Sequence, residues 1–196
     1  MSIEVLRSLV WADYRLAILF AVILPLGLLL WAVIQNAEPI VRLLIIYWRV
    51  SSLLAITVYL LVAQMPVGFL TGLATLMFIP VGLWFWIDLN EEIADRPGPL
   101  QLAFTSWRWG ITLYCALAAI GQVMFINCAF VAGAIATPSC QVWLEAPLLF
   151  QQIFHANAKV STLGFLASGA LIVYVCYLAY FVFFRLSKQG RSATGL

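Results

Sequence analysis

The chain has 196 residues, of which 65% are hydrophobic and only 9% charged, and its mean hydropathy is +1.05. A soluble domain carries roughly a quarter charged residues, so this composition cannot furnish a water-facing surface. A net charge of +2 is too small for a nucleic-acid partner, which leaves membrane lipids as the solvent of a single membrane domain, 1–196.

A hydrocarbon core of about 30 Å needs about 20 apolar residues per helix. Five runs qualify, at 16–34, 43–63, 67–87, 109–126 and 163–184. None alternates with the period of a barrel strand, so the predicted fold is all-α, a polytopic bundle of about five spans. Ahead of the first run, Val5, Leu6, Leu9 and Val10 with Trp11 suit a short helix on the membrane surface. That first run, at 19 residues, exceeds the h-region of a signal peptide, and the residues before it carry both signs, so it reads as a mature span. Pro25 interrupts it, as Pro80 interrupts the third. Such breaks line some transporter sites, although a kink filled by neighbours is commoner.

Arg49, seven positions into the second run, is the most costly residue to insert, at about 2.5 kcal/mol or more for a central arginine unless it reaches the headgroups. After the third run come Asp88, Glu91, Glu92 and Asp95, the first three on one face if the helix continues. Arg108 stands between Trp107 and Trp109 at the mouth of the fourth run. Arg49, Arg108, Asp88, Glu91 and Glu92 therefore make a candidate polar cluster. It suits an anion or a docking partner; it suits at least as well an ion-paired tie between spans, with the arginines reaching lipid phosphates.

The connection 127–162 holds Cys128 and Cys140. In an oxidising compartment a disulfide between them would be worth about 3 kcal/mol; otherwise they are two semi-buried thiols. Pro147 suits the first position of a short amphipathic helix, with Leu149, Phe150, Ile153 and Phe154 as its apolar stripe. His155 is the single histidine. It could ligate a haem or chlorophyll, but a lone histidine in a wet loop is more often simply solvated. Gly68-x-x-x-Gly72 in the third run and Gly164-x-x-x-Ser168 in the fifth allow close helix approach. Tyr174, Tyr177, Tyr180, Phe181, Phe183 and Phe184 give the last run an aromatic surface suited to a flat pigment or to another membrane protein.

Counting Lys and Arg by side gives seven (Arg42, Arg49, Arg96, Arg108, Arg185, Lys188 and Arg191) against three (Arg7, Arg15 and Lys159). The positive-inside rule then puts the 35–42 loop, the 88–108 connection and the tail 185–196 in the cytoplasm, with 127–162 and the N-terminus outside. Six of the eight tryptophans (Trp31, Trp48, Trp84, Trp86, Trp107 and Trp109) fall at the cytoplasmic ends of the proposed spans, where a half-wet ring is favoured. No HExxH, Walker loop, G-x-S-x-G or paired CxxC occurs, so neither catalysis nor a metal is expected.

The strings LLIIYWRV at 43–50, LWFWIDLNEE at 83–92, TSWRWG at 105–110, CQVWLEAP at 140–147 and FFRLSKQGRSA at 183–193 resemble a small family of uncharacterised integral membrane proteins of cyanobacteria. The resemblance runs over nearly the whole chain and brings no catalytic residues. It implies a thylakoid or plasma membrane, and an auxiliary or assembly role around photosynthetic complexes. No cofactor is expected; the alternative, from His155 and the aromatic last run, is chlorophyll, carotenoid or haem. The expected function is thus a non-enzymatic accessory protein bound to another membrane complex. The alternative is a small transporter or channel using the arginine and acidic cluster.

Overall fold

The computed structural model describes residues 2–186, with only the backbone of Arg185 and Leu186. The predicted cytoplasmic tail, with Lys188 and Arg191, lies outside the described residues. Those residues form helices and no strand: α1 (Ile3–Ile18), a π-helical turn (Leu19–Ile23), α2 (Leu24–Ile34), α3 (Glu38–Val62), α4 (Val67–Trp84), α5 (Ile87–Ala94), α6 (Pro99–Val123), α7 (Asn127–Phe130), α8 (Pro138–Phe154), α9 (Val160–Tyr180) and a closing π-turn (Phe181–Leu186).

The N-terminal segment expected as a separate surface helix is instead continuous with the first span. Ser2 caps it, its Oγ accepting from the Val5 N–H at 3.4 Å. From there α1, the π-turn and α2 make one rod of 32 residues. Leu6 and Val10, on its inner face, bury against Val142 of α8.

Two matching turns end α2 and α3. Asn36 and Gln64 adopt left-handed φ of 52° and 54°. Ala37 N–H then reaches the Ala32 carbonyl at 2.9 Å, and Met65 N–H the Leu60 carbonyl at 3.0 Å, which is Schellman closure. Pro39 and Pro66 follow each turn and stop the outgoing helix from continuing. The second turn folds α3 back on α4 as an antiparallel hairpin. Val50 meets the Gly82 backbone so closely that a Cβ there would sit 3.2 Å from it.

Four helical segments are long and apolar enough to cross a membrane: Ile3–Ile34, Glu38–Val62, Val67–Trp84 and Val160–Phe184. The remaining predicted run, 109–126, is placed differently. Its helix starts at Pro99 and ends at Val123, so it takes in Gln101 and Arg108 and leaves Met124, Phe125 and Ile126 beyond its end. The 88–108 connection is accordingly half helix. α6 packs antiparallel to α4: the Trp84 indole donates to Thr112 Oγ1 at 2.9 Å near one end, and Gln122 Nε2 to the Phe69 carbonyl at 3.1 Å near the other.

Pro147 does not open a helix. Pro138 holds the N-terminal position, and Pro147 is buried mid-way along α8. The expected stripe partly faces out, with Ile153 65% and Phe154 68% exposed. The tryptophan belt is also divided. Trp31 and Trp109 are exposed, but Trp86 and Trp107 are buried in the main core with Tyr47, Phe104 and Ile111.

Candidate functional site

Proline inside a helix withholds a donor from the carbonyl four residues earlier. For Pro25 that carbonyl is Ala21's, and the Tyr47 hydroxyl donates to it at 2.6 Å. For Pro147 it is Trp143's, and the Tyr14 hydroxyl donates to it at 2.7 Å. The Phe20 carbonyl, in the π-turn, takes the Trp107 indole N–H at 2.9 Å. Tyr47 and Trp107 pack edge to face with ring centroids 5.1 Å apart. The breaks at Pro25 and Pro147 thus draw polar rings from neighbouring helices, so α1–α2 is tied to α3 and α6, and α8 to α1. Sequence reading missed this partnership.

Arg108 is 8% exposed, so its guanidinium is removed from water. It lies 4.1 Å over the Trp84 ring and 5.8 Å from the Phe104 centroid. Its Nη1 donates to Asn90 Oδ1, and Asn90 Nδ2 donates in turn to the Leu83 carbonyl at 3.3 Å. Its Nε has no acceptor among the described residues. The cation is held by an aromatic face and an amide, with no carboxylate among the described residues.

Of the acidic residues proposed to face it, Glu91 and Glu92 are exposed on α5, with Glu92 3.5 Å from Arg96. Asp88 is half-buried. A break at Phe85 and Trp86 separates α5 from α4, which turns this acidic face away from the line of the third span. Arg49 is exposed and borders a cavity between α3, α4 and α9. Arg108 does not line that cavity, so the two arginines occupy different places.

At the opposite end, α1 and α8 are clasped by Glu145, which accepts from Arg7 Nε at 2.9 Å and from the Trp11 indole at 3.1 Å. Asp13 accepts from the Tyr114 hydroxyl at 3.1 Å, joining α1 to α6; neither residue stood out in the sequence. Cys128 and Cys140 are bonded, their Cα atoms 5.9 Å apart, and both are buried against Leu61, Phe69 and Leu144. His155 lies 2.8 Å through Nε2 from the Tyr59 hydroxyl and packs on Phe150. One ring nitrogen is therefore engaged in fastening the end of α8 to α3. Among the described residues no group of three or more His, Cys, Asp or Glu could hold a metal ion.

The family described as "Protein of unknown function (DUF3177)" matches residues 7–194. The chain belongs to that family. No curated protein and no solved structure matches it.

Proposed function

We propose that this DUF3177 member is a five-span, non-enzymatic accessory or assembly protein that docks on another membrane protein complex. The observation carrying this reading is α9. Only 6% of its most apolar window is buried within the fold, against 44% for α3. Its outward face is large and apolar, with Phe165 77%, Val173 69% and Ile172 65% exposed. Lipid alone would cover such a face, but aromatic side chains crowded on one helix also suit a packed protein interface.

The fifth span in this reading is α6. Trp109, Leu113, Leu117, Ile120 and Met124 are each at least 60% exposed and form one apolar stripe facing away from the bundle. The Cys128–Cys140 bond supports an oxidising environment for 127–162, in agreement with the distribution of positive charge. The N-terminus then lies on that side and the C-terminus in the cytoplasm. The sequence resemblance adds the setting of a cyanobacterial thylakoid or plasma membrane and a partner among photosynthetic complexes.

Affinity purification from native membranes after gentle solubilisation tests the reading. A photo-crosslinking residue at Phe165 or Val173 should trap a defined partner. Recovery of the lone chain, crosslinked only to lipid, would defeat it.

A further inference from the structure

The cavity beside Arg49 holds about 280 Å³ between α3, α4 and α9. Its walls are apolar, among them Val50, Phe78, Val81 and Phe181, and Tyr174 and Tyr177 stand along the α9 side. The Tyr174 hydroxyl is already committed to the Val50 carbonyl at 3.3 Å. Gly82 also lines the hollow, where a side chain would narrow it. The charged group at this lining is the Arg49 guanidinium.

Arg49 is eleven residues into α3, about 16 Å from its start, yet it is exposed and its side chain has no carboxylate or hydrogen-bond acceptor among the described residues. A lone cation facing hydrocarbon is strongly disfavoured unless it reaches an anion at the headgroup level. The hairpin register supplies that level. Val50 faces Gly82, which in an antiparallel hairpin places Arg49 level with Leu83, one residue inside Trp84 at the end of α4. A guanidinium on a flexible stem covers that distance. It is planar and forked, matched to two oxygens of a phosphate or sulfate ester.

We propose that this groove holds one acyl chain of an anionic membrane lipid, with the charged headgroup seated on Arg49. The apolar walls explain the tail, and the unpartnered cation at their rim explains the charge. A free phosphate would use the cation and leave the groove empty. Its volume falls just below the range that encloses whole drug-sized ligands, which fits a chain and not a tetrapyrrole. The inference requires only that the protein sits in a membrane; it stands whether or not the outer face of α9 carries a protein partner.

Native mass spectrometry of the full chain, delipidated in a neutral detergent, tests this with phosphatidylglycerol and phosphatidylcholine of the same acyl chains. The wild type should retain one phosphatidylglycerol about tenfold better than phosphatidylcholine, the scale of one charge-assisted contact. Arg49→Gln should abolish that preference and Arg49→Lys should keep most of it. Val81→Trp, on an exposed wall, should expel both lipids with helix content unchanged. Equal retention of the two lipids by the wild type, unchanged preference in Arg49→Gln, or displacement of the bound lipid by excess inorganic phosphate alone would each overturn the proposal. If Arg49→Gln fails to fold, the wild-type preference and the Val81→Trp result decide it.

Discussion

Tyr47 donates its hydroxyl to the carbonyl of Ala21, the group that Pro25 leaves without a helical donor. The bond is buried, with Tyr47 1% and Ala21 3% exposed. Inside a membrane no water can replace it, so the tyrosine and the proline act as a pair. The Tyr14 and Trp143 pair repeats the arrangement around Pro147.

Tyr47→Phe should lower stability by about 1–3 kcal/mol, because it leaves that carbonyl unsatisfied. Pro25→Ala restores a backbone N–H, and the double variant should lose less than the two single losses added together. Thermal unfolding in detergent measures the cycle. Strict additivity would show that proline and tyrosine are unconnected.

Arg108→Lys should destabilise by about 1–3 kcal/mol, since a compact ammonium keeps the charge but loses the planar stack on Trp84 and the aim at Asn90. Tryptophan emission reports the same change, because Trp84 also packs on Trp109 at 4.7 Å. An unaltered spectrum and midpoint would remove Arg108 from this structural role.

Reduction of the Cys128–Cys140 bond, or Cys128→Ser, should cost about 3 kcal/mol for a loop closed over a sequence separation of 12. A cysteine placed at the exposed Ala132 of the same connection, with Cys115 and Cys176 replaced, should be labelled by a membrane-impermeant thiol reagent applied from the outside of intact cells or vesicles. Labelling from the cytoplasmic face alone would reverse the proposed topology.

Gly164→Val should pull α9 away from α3. A Cβ at Gly164 would lie 2.7 Å from the Ala63 Cβ, which is bonded directly to backbone and cannot swing aside. The cost of such overpacking is about 1–3 kcal/mol. Cysteines placed at 65 and 168, whose native side chains meet at 3.6 Å, should lose their crosslink in this variant. Retained crosslinking would show that the seam can widen without separating.

Much of the architecture was readable because lipid imposes length and apolarity on each crossing. Runs at 43–63, 67–87 and 163–184 correspond closely to α3, α4 and α9. The fourth run falls mostly inside a longer helix, α6, which starts ten residues earlier at Pro99 and ends at Val123. Hydropathy marks where a helix contacts lipid, whereas Pro99 and the Phe125–Trp143 contact below Val123 set where it begins and stops. The polar cluster was only partly legible. Sequence neighbours suggested that Arg108 would face Glu91 and Glu92, but the break at Trp86 lets Asn90 approach it instead. Asp13 and Tyr114, about a hundred positions apart, carry no local pattern that would have paired them. Pro147 misled for a related reason. Proline is commonest at helix starts, and only the incoming Tyr14 hydroxyl makes its interior position tolerable.

The 32-residue rod of α1, π-turn and α2 extends about 48 Å, while the oily layer is about 30 Å deep. Even a lean of about 40°, the extreme seen for membrane helices, would leave roughly 7 Å of it too tall to be submerged. With the far end level with the oily layer, the end carrying Arg7, which pairs with Glu145 of α8, would stand proud of the bilayer like a post with α8 braced against it. Any neighbour approaching along that surface meets a rigid obstacle, and its own loops must pass around or over it.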